Sequence, residues 1–323
     1  MGRLHARVYR ELPDVQLVGV SDIEPAAVQA VAEAYSAEAF SDHRRLLDRL
    51  SPTVVTVATP TSSHHRVVMD AIAAGAHVLV EKPIASTLAE AEEMIAAAAA
   101  AGVVLMVGHI ERYNTAVLEL RRQLEQGVLG RVFQINARRL GPFPSRILDV
   151  GVVIDLATHD LDVMRFLTKS EGVRAYAETR RRFHTSQEDQ LTGLVTFENE
   201  MVGSLDINWL TPTKIREISV TGERGMFQVD YLMQDLYFFE NAQAAGERWD
   251  AIQVLRGVNE GAMTRFALAK KEPLRTELET FIRAAGGDRV EDAVTGQDGL
   301  EALRLALALV ESGRTNQPVE LAR

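Results

Sequence analysis

The sequence predicts an α/β fold: a doubly wound parallel sheet followed by a second, α+β domain built on a mostly antiparallel sheet. Three observations predict it. Short β-rich apolar segments alternate with helical stretches through the first 110 residues. Longer strand-like segments then follow one another across short polar turns such as Glu198-Asn199-Glu200. Helical patterning returns in the last quarter. Strands separated by helices form parallel units, whereas strands joined by tight turns form antiparallel ones. A chain of 323 residues exceeds one comfortable core, so two domains are expected, 1–112 and 113–323, with C-terminal helices able to pack back on the first.

In the first domain, strands are expected at 15–21, near 39, at 54–58, 78–81 and 103–108, with helices at 24–35, 42–50, 63–74 and 87–101. Ser63 and Thr87 suit N-caps; Gly75 and Gly102 suit helix stops. The run 78–80 is short, apolar and β-rich, as a buried parallel strand should be, and it ends in Glu81-Lys82-Pro83. A lysine at the carboxyl end of such a strand points into the crevice where open α/β sheets bind ligands. Pro83 prevents helical continuation and keeps Lys82 extended. Taken alone, such a lysine is most simply a solvated loop residue.

A dinucleotide-binding unit opens with a strand, a glycine-rich turn and a helix whose N-terminus faces the pyrophosphate. Here Met1-Gly2-Arg3-Leu4-His5-Ala6 reads as the end of such a turn running into a helix that reaches Leu12. Asp22 follows strand 15–21 at the ~20-residue spacing from Gly2 where an acidic residue bonds the ribose 2′-hydroxyl. Ile23 and Glu24 come next, so NAD is favoured over NADP, whose phosphate would be repelled. The central first strand and the leading glycines are absent. Their loss would leave two buried strand edges unpaired, so roughly 10 residues are expected upstream of Met1. A genuinely shortened, inactive product is the other reading.

In the second domain a helix near 114–126 and a segment 131–140 precede a helix at about 149–167. Strands are then expected at 173–183, 190–197, 201–210, 215–221, 226–231 and 236–239, and helices at 275–285 and 296–312. On the 149–167 helix, Asp155 and His159 stand four apart in a polar stripe with Thr158 and Asp162. A polar stripe is commonly just the solvated face. Its chemistry here is a carboxylate able to orient an imidazole and raise its basicity. No third ligand stands at recognisable spacing, so no metal is expected.

Composition excludes several classes. The net charge of −10 carries no basic block, which argues against nucleic acid and anionic membranes. Zero cysteines exclude disulfides, thiolate metal sites and thiol nucleophiles, and suit a cytoplasmic protein. The longest apolar stretch, 94–108, is shorter than the ~20 residues of a membrane span.

Four motifs, in order and spacing, resemble the Gfo/Idh/MocA oxidoreductase family: Met1 to Ala6, Ala58-Thr59-Pro60 with His64, Gly75 to Pro83, and Asp155 to Asp160. Val294 to Leu300 extends the likeness. The resemblance implies a Rossmann-type NAD-dependent dehydrogenase acting on a sugar or polyol hydroxyl. Carried over residue by residue, it makes Lys82 the donor to the reacting hydroxyl, His159 the base and Asp155 its aid. Gly2, Arg3, Leu4, Asp22, Thr59, Pro60, His64 and Glu81 would line the cofactor, although His64 is equally well a helix-end histidine. This agrees with the chemistry, since hydride removal from a carbinol needs a near-neutral base and a cation beside the incipient oxyanion.

A narrower likeness lies in the segments 108–114, 146–151 and 208–214. They resemble the branch acting on nucleotide sugars, which implies oxidation at C3 of a UDP-N-acetylamino sugar. Arg112, Tyr113, Asn114 and Lys214 would contact substrate, with Arg216 and Lys214 beside Trp209 offering cations and a stacking face. An inositol or polyol dehydrogenase is the alternative, and a non-catalytic sugar or dinucleotide sensor is the alternative of another class. Apolar positions on both faces of 201–210 predict a homodimer or homotetramer.

Overall fold

The computed structural model describes residues 1–144, 150–183, 186–241 and 260–321. These divide into two units: Met1–Tyr113 with Lys271–Arg304, and Asn114–Lys270 with Leu305–Arg323.

In the first unit the strands are parallel. Strands β1 (Gly19–Ser21) and β2 (Glu38–Phe40) pair with each other, while β3 (Val54–Val57), β4 (His77–Glu81) and β5 (Leu105–Gly108) form a separate sheet in that order. The hydrogen-bonded ladder is thus interrupted between β1 and β3. The helices are α1 (Gly2–Glu11), α2 (Pro25–Tyr35), α3 (His43–Leu50), α4 (His64–Ala73) and α5 (Leu88–Ala101). Local chemistry sets their ends. Pro25 opens α2, Asp42 accepts from the Arg44 amide to cap α3, and Thr87 with Glu90 closes a capping box on α5. Gly102 stops α5 at a left-handed φ of 68°. Val78, Leu79 and Val80 are fully buried, which is why β4 reads as a continuous apolar run. The expected strand 15–21 is ordered as β only from Gly19.

In the second unit, α6 (Thr115–Glu125) leads into β6 (Val132–Pro142). A π-helical turn, Val153–Ala157, then runs into α7 (Thr158–Thr168). Strands β7 (Gly172–Arg180), β8 (Gln190–Phe197), β9 (Val202–Asn208), β10 (Leu210–Gly222), β11 (Gly225–Asp230), β12 (Asp235–Asn241), β13 (Glu260–Arg265) and β14 (Val319–Glu320) follow. With β6 they make a nine-stranded sheet in the order β13-β12-β11-β10-β6-β9-β8-β7-β14, in which only the β6–β9 pair is parallel. Ile135, Ala137, Leu205, Ile207, Ile218 and Val220 share one core with Leu161 and Met164 of α7.

Three expectations change here. Strands β13 and β14 had no counterpart in the sequence reading, and β10 starts at Leu210, with a register shift before Ile215. The start of the expected 149–167 helix, residue 149, lies outside the described residues. On β9, Gly203, Leu205 and Ile207 are buried, while the opposite face carries Val202, Ser204, Asp206 and Asn208. That second face is mainly polar, so the apolar argument for an oligomer does not hold on this strand.

The C-terminal segment supplies α8 (Pro273–Ala285) and α9 (Gly296–Thr315). In the first unit, Leu274, Leu278 and Phe281 of α8 share a core with Val8 and Tyr9 of α1, Leu12 just after it, Leu79 of β4 and Met106 of β5. A Cβ on Gly299 would come within 2.6 Å of Val107, so only glycine lets the start of α9 lie this close to β5. No helix among the described residues is long and apolar enough to cross a membrane.

Candidate active site

Because β3, β4 and β5 are parallel, their carboxyl ends share one edge. Thr59 and Pro60 follow β3 and are exposed; Lys82 follows β4 and is half-buried. Its neighbours are fixed. Glu81 is buried, with Oε1 2.8 Å from Nε2 of His5 on α1. Burial works to raise the Glu81 carboxyl, but the His5 hydrogen bond and charge and the Lys82 ammonium outweigh it and hold it below the usual range. An ionised carboxylate only accepts, so His5 donates from Nε2.

His64, the first residue of α4, is only 1% exposed. Its Nδ1 lies 2.9 Å from the Pro83 carbonyl oxygen, and its Nε2 lies 2.9 Å from that of Thr59. Both partners are acceptors, so both contacts are hydrogen bonds together only in the doubly protonated ring; the neutral ring donates to one. Burial pushes the imidazole below its ordinary value, against the pull of the two carbonyls and of Glu81.

Of the residues expected to line a dinucleotide, the first turn of α1 and Asp22 suit it, whereas His64 and Glu81 are buried against partners of their own. Gly2, Arg3 and Leu4 form the exposed first turn of α1, and Met1 makes no side-chain cap there. The Leu4 amide donates to the Met1 carbonyl at 2.7 Å, and the amides of Gly2 and Arg3 ahead of it, at the positive end of the helix dipole, suit a pyrophosphate. Asp22 is exposed just beyond β1, where Oδ1 accepts from the Glu24 amide at 2.9 Å. A carboxylate has acceptor sites to spare beyond that one bond.

Of the four residues expected on the substrate, Arg112, Tyr113 and Asn114 are buried, and Lys214 is not. Arg112 is 5% exposed and donates from Nη2 to Asp298 Oδ1 at 2.9 Å. Tyr113 is buried. Asn114 is the N-cap of α6: its Oδ1 accepts from the Ala116 amide, and its Nδ2 donates to the Tyr231 carbonyl. These two bonds engage both ends of the amide, so capping replaces substrate contact for Asn114. Lys214 is exposed. Trp209, expected as a stacking face, is 3% exposed against Phe143, and Arg216 donates to the carbonyls of Leu140 and Ile215. That pairing of cation and open indole is therefore corrected.

In the second unit, Asp155 lies in the π-helical turn and His159 in the first turn of α7; both are half-buried. Single π turns inside helices recur at functional sites. The polar-stripe reading is corrected, because Thr158, Asp160 and Asp162 are fully buried. Of the residues of α7 up to Leu167, His159 alone is not buried. Asp160, the next residue, receives Arg139 of β6 through Nε at 2.7 Å and Nη2 at 2.9 Å, and Glu188 accepts from the Val153 amide at 3.2 Å. These contacts fix the segment carrying Asp155 and His159.

The sequence reading did not assign roles to His5, Asp298, Arg139 or Asp160. For Asp298 a signal was present: Thr295-x-x-Asp298 has the spacing of a capping box. Thr295 donates to Asp298 Oδ2 from its amide and hydroxyl, and the Asp298 amide donates back to Thr295 Oγ1.

Comparison with known proteins gives consistent results. Residues 1–109 match the model of the oxidoreductase family with an NAD-binding Rossmann fold, and residues 117–228 match the Gfo/Idh/MocA C-terminal domain. The chain is 32% identical to the UDP-N-acetylglucosamine 3-dehydrogenase of Acidithiobacillus ferrooxidans, over 97% of this chain and 95% of that one. A solved structure of the enzyme of that name from the same organism superposes with a TM-score of 0.85, at 29% identity over 97% of this chain and 94% of that one. The myo-inositol 2-dehydrogenase of Thermotoga maritima is 24% identical over 99% of this chain and 96% of that one.

Proposed function

The chain belongs to the Gfo/Idh/MocA family of NAD-binding oxidoreductases, and from that membership we infer that it oxidises a secondary hydroxyl of a nucleotide sugar, at C3 of a UDP-linked N-acetylamino sugar. The observation that carries this reading is Lys82: half-buried, at the carboxyl edge of a parallel sheet, between two anchored neighbours. The 32% identity to a UDP-N-acetylglucosamine 3-dehydrogenase over nearly both full lengths supports the substrate class.

NAD, when bound, supplies the acceptor for the hydride that leaves the carbinol carbon. The first turn of α1, through Gly2, Arg3 and Leu4, holds the pyrophosphate, and Asp22 accepts from the ribose. Thr59 and Pro60 line the cofactor side. Lys82 donates to the reacting hydroxyl oxygen and stabilises the negative charge that grows there as the C–H bond weakens. His159 accepts the hydroxyl proton. Asp155 favours the protonated ring and helps orient it.

Turnover in a reaction mixture tests the reading directly. NADH absorbance is followed with NAD and, in turn, UDP-N-acetylglucosamine, myo-inositol and glucose. Turnover on the nucleotide sugar is expected. The likeness to myo-inositol 2-dehydrogenase makes a cyclitol the second reading, and turnover on myo-inositol alone would establish it instead. Tight binding of the nucleotide sugar without turnover would remove the enzymatic assignment.

A further inference from the structure

We infer that His5 and His64 are positioning residues for Lys82, gripping the Glu81-Lys82-Pro83 turn on its two sides; this rests on the reading of Lys82 as the group that meets the reacting hydroxyl. The residue before Lys82 is held through its side chain, by Nε2 of His5 at 2.8 Å from Glu81 Oε1. The residue after it is held through its backbone, by Nδ1 of His64 at 2.9 Å from the Pro83 carbonyl oxygen. The other nitrogen of His64 lies 2.9 Å from the Thr59 carbonyl oxygen, and the neutral ring donates to one of these two carbonyls at a time.

Both histidines are almost inaccessible, His5 at 2% and His64 at 1%, and neither ring is left open to a ligand. Each sits near the start of a helix, His5 on α1 and His64 on α4, so rigid elements carry both grips. Lys82 itself has a long, flexible stem. Holding the residues on both sides of it limits where its ammonium can go, and geometry of this kind is what a developing oxyanion requires.

The test uses the full chain with NAD and UDP-N-acetylglucosamine. His5→Leu and His64→Leu fill the space without a donor, and His5→Gln and His64→Gln keep an N–H. At temperatures where each variant is folded, the leucine variants should lower kcat roughly 10–100-fold, the scale of a displacement of about 1 Å, with KM for the sugar nearly unchanged. The glutamine variants should recover part of that loss. In a Lys82→Ala background His64→Leu should lower kcat no further, because its effect passes through the lysine. A second readout needs no turnover. Amine-reactive labelling, followed by mass spectrometry, should modify Lys82 several-fold faster in His64→Leu, with exposed Lys214 unchanged as the internal reference. Equal losses of kcat with and without Lys82, or unchanged labelling of Lys82, overturn the inference. Wild-type turnover in Lys82→Ala alone would instead remove the functional reading beneath it, and the inference with it.

Discussion

Asp298 Oδ1 accepts the Arg112 guanidinium at 2.9 Å, while Asp298 Oδ2 holds the amide and hydroxyl of Thr295. One carboxylate therefore caps α9 and fixes the residues that follow β5. Burial acts to raise the Asp298 carboxyl, but the charge of Arg112 and the bonds from Thr295 and Arg112 leave it below the usual range. A depressed folded value means that the ionised form contributes stability above the ordinary carboxylate pKa, and that this contribution fades as pH falls through the lower, folded value. Asp298→Asn should lose about 1.5–3 kcal/mol at neutral pH, the scale of hydrogen bonds to a charged group. The deficit relative to wild type should shrink in strong acid. Urea unfolding at both pH values measures it, and an equal deficit at the two would dismiss the ionic contribution.

The Arg139–Asp160 pair makes a sharper stability prediction. Its side chains are 4% and 0% exposed, and the guanidinium lies 5.1 Å from the Tyr231 ring centroid. Removing one partner strands a buried charge. Arg139→Met should therefore cost about 3–5 kcal/mol, and replacing both partners by apolar residues should recover much of it. A denaturant series on the two variants decides whether the pair acts as a unit.

Much of this was legible in the residues, for identifiable reasons. The run at 78–80 could be read because a strand buried on both faces is uniformly apolar, and Thr87 and Gly102 because caps act locally. Asp155 and His159 could be picked out by chemical type, yet the π turn between them leaves no sequence signature. Thr158 and Asp162, which share a polar stripe with Asp155 and His159 in the sequence pattern, are fully buried. Their burial depends on partners distant in sequence, and the Arg139–Asp160 pair spans such a distance. The same limit hid the Asp298 partner of Arg112 and made Asn114 look like a ligand contact when it is a cap. An indole at a strand end such as Trp209 reads alike in sequence whether Phe143 covers it or not.

Lys82→Ala should lower kcat by roughly 10²–10³, the scale of losing one donor to a developing oxyanion. His159→Ala should cost roughly 10²–10⁴, as expected for a general base. Steady-state kinetics on the nucleotide sugar supply both numbers. Undiminished turnover in His159→Ala would assign the proton to another residue.

Asp22 gives the prediction most specific to the cofactor. It is exposed beyond β1 and is followed by Ile23 and Glu24, so on the proposed reading the ribose end meets a carboxylate. Asp22→Ala removes an acceptor for the ribose hydroxyl, and NAD affinity should fall roughly 10–100-fold, the equivalent of one charged hydrogen bond. Sugar KM at saturating NAD should hold steady, because Asp22 meets only the nucleotide. The same change also removes a repulsion towards a 2′-phosphate, so the preference for NAD over NADP should narrow further than the loss in NAD binding alone would suggest. Fluorescence titrations with NADH and NADPH read both effects, and unchanged NADH affinity would take Asp22 out of the cofactor site.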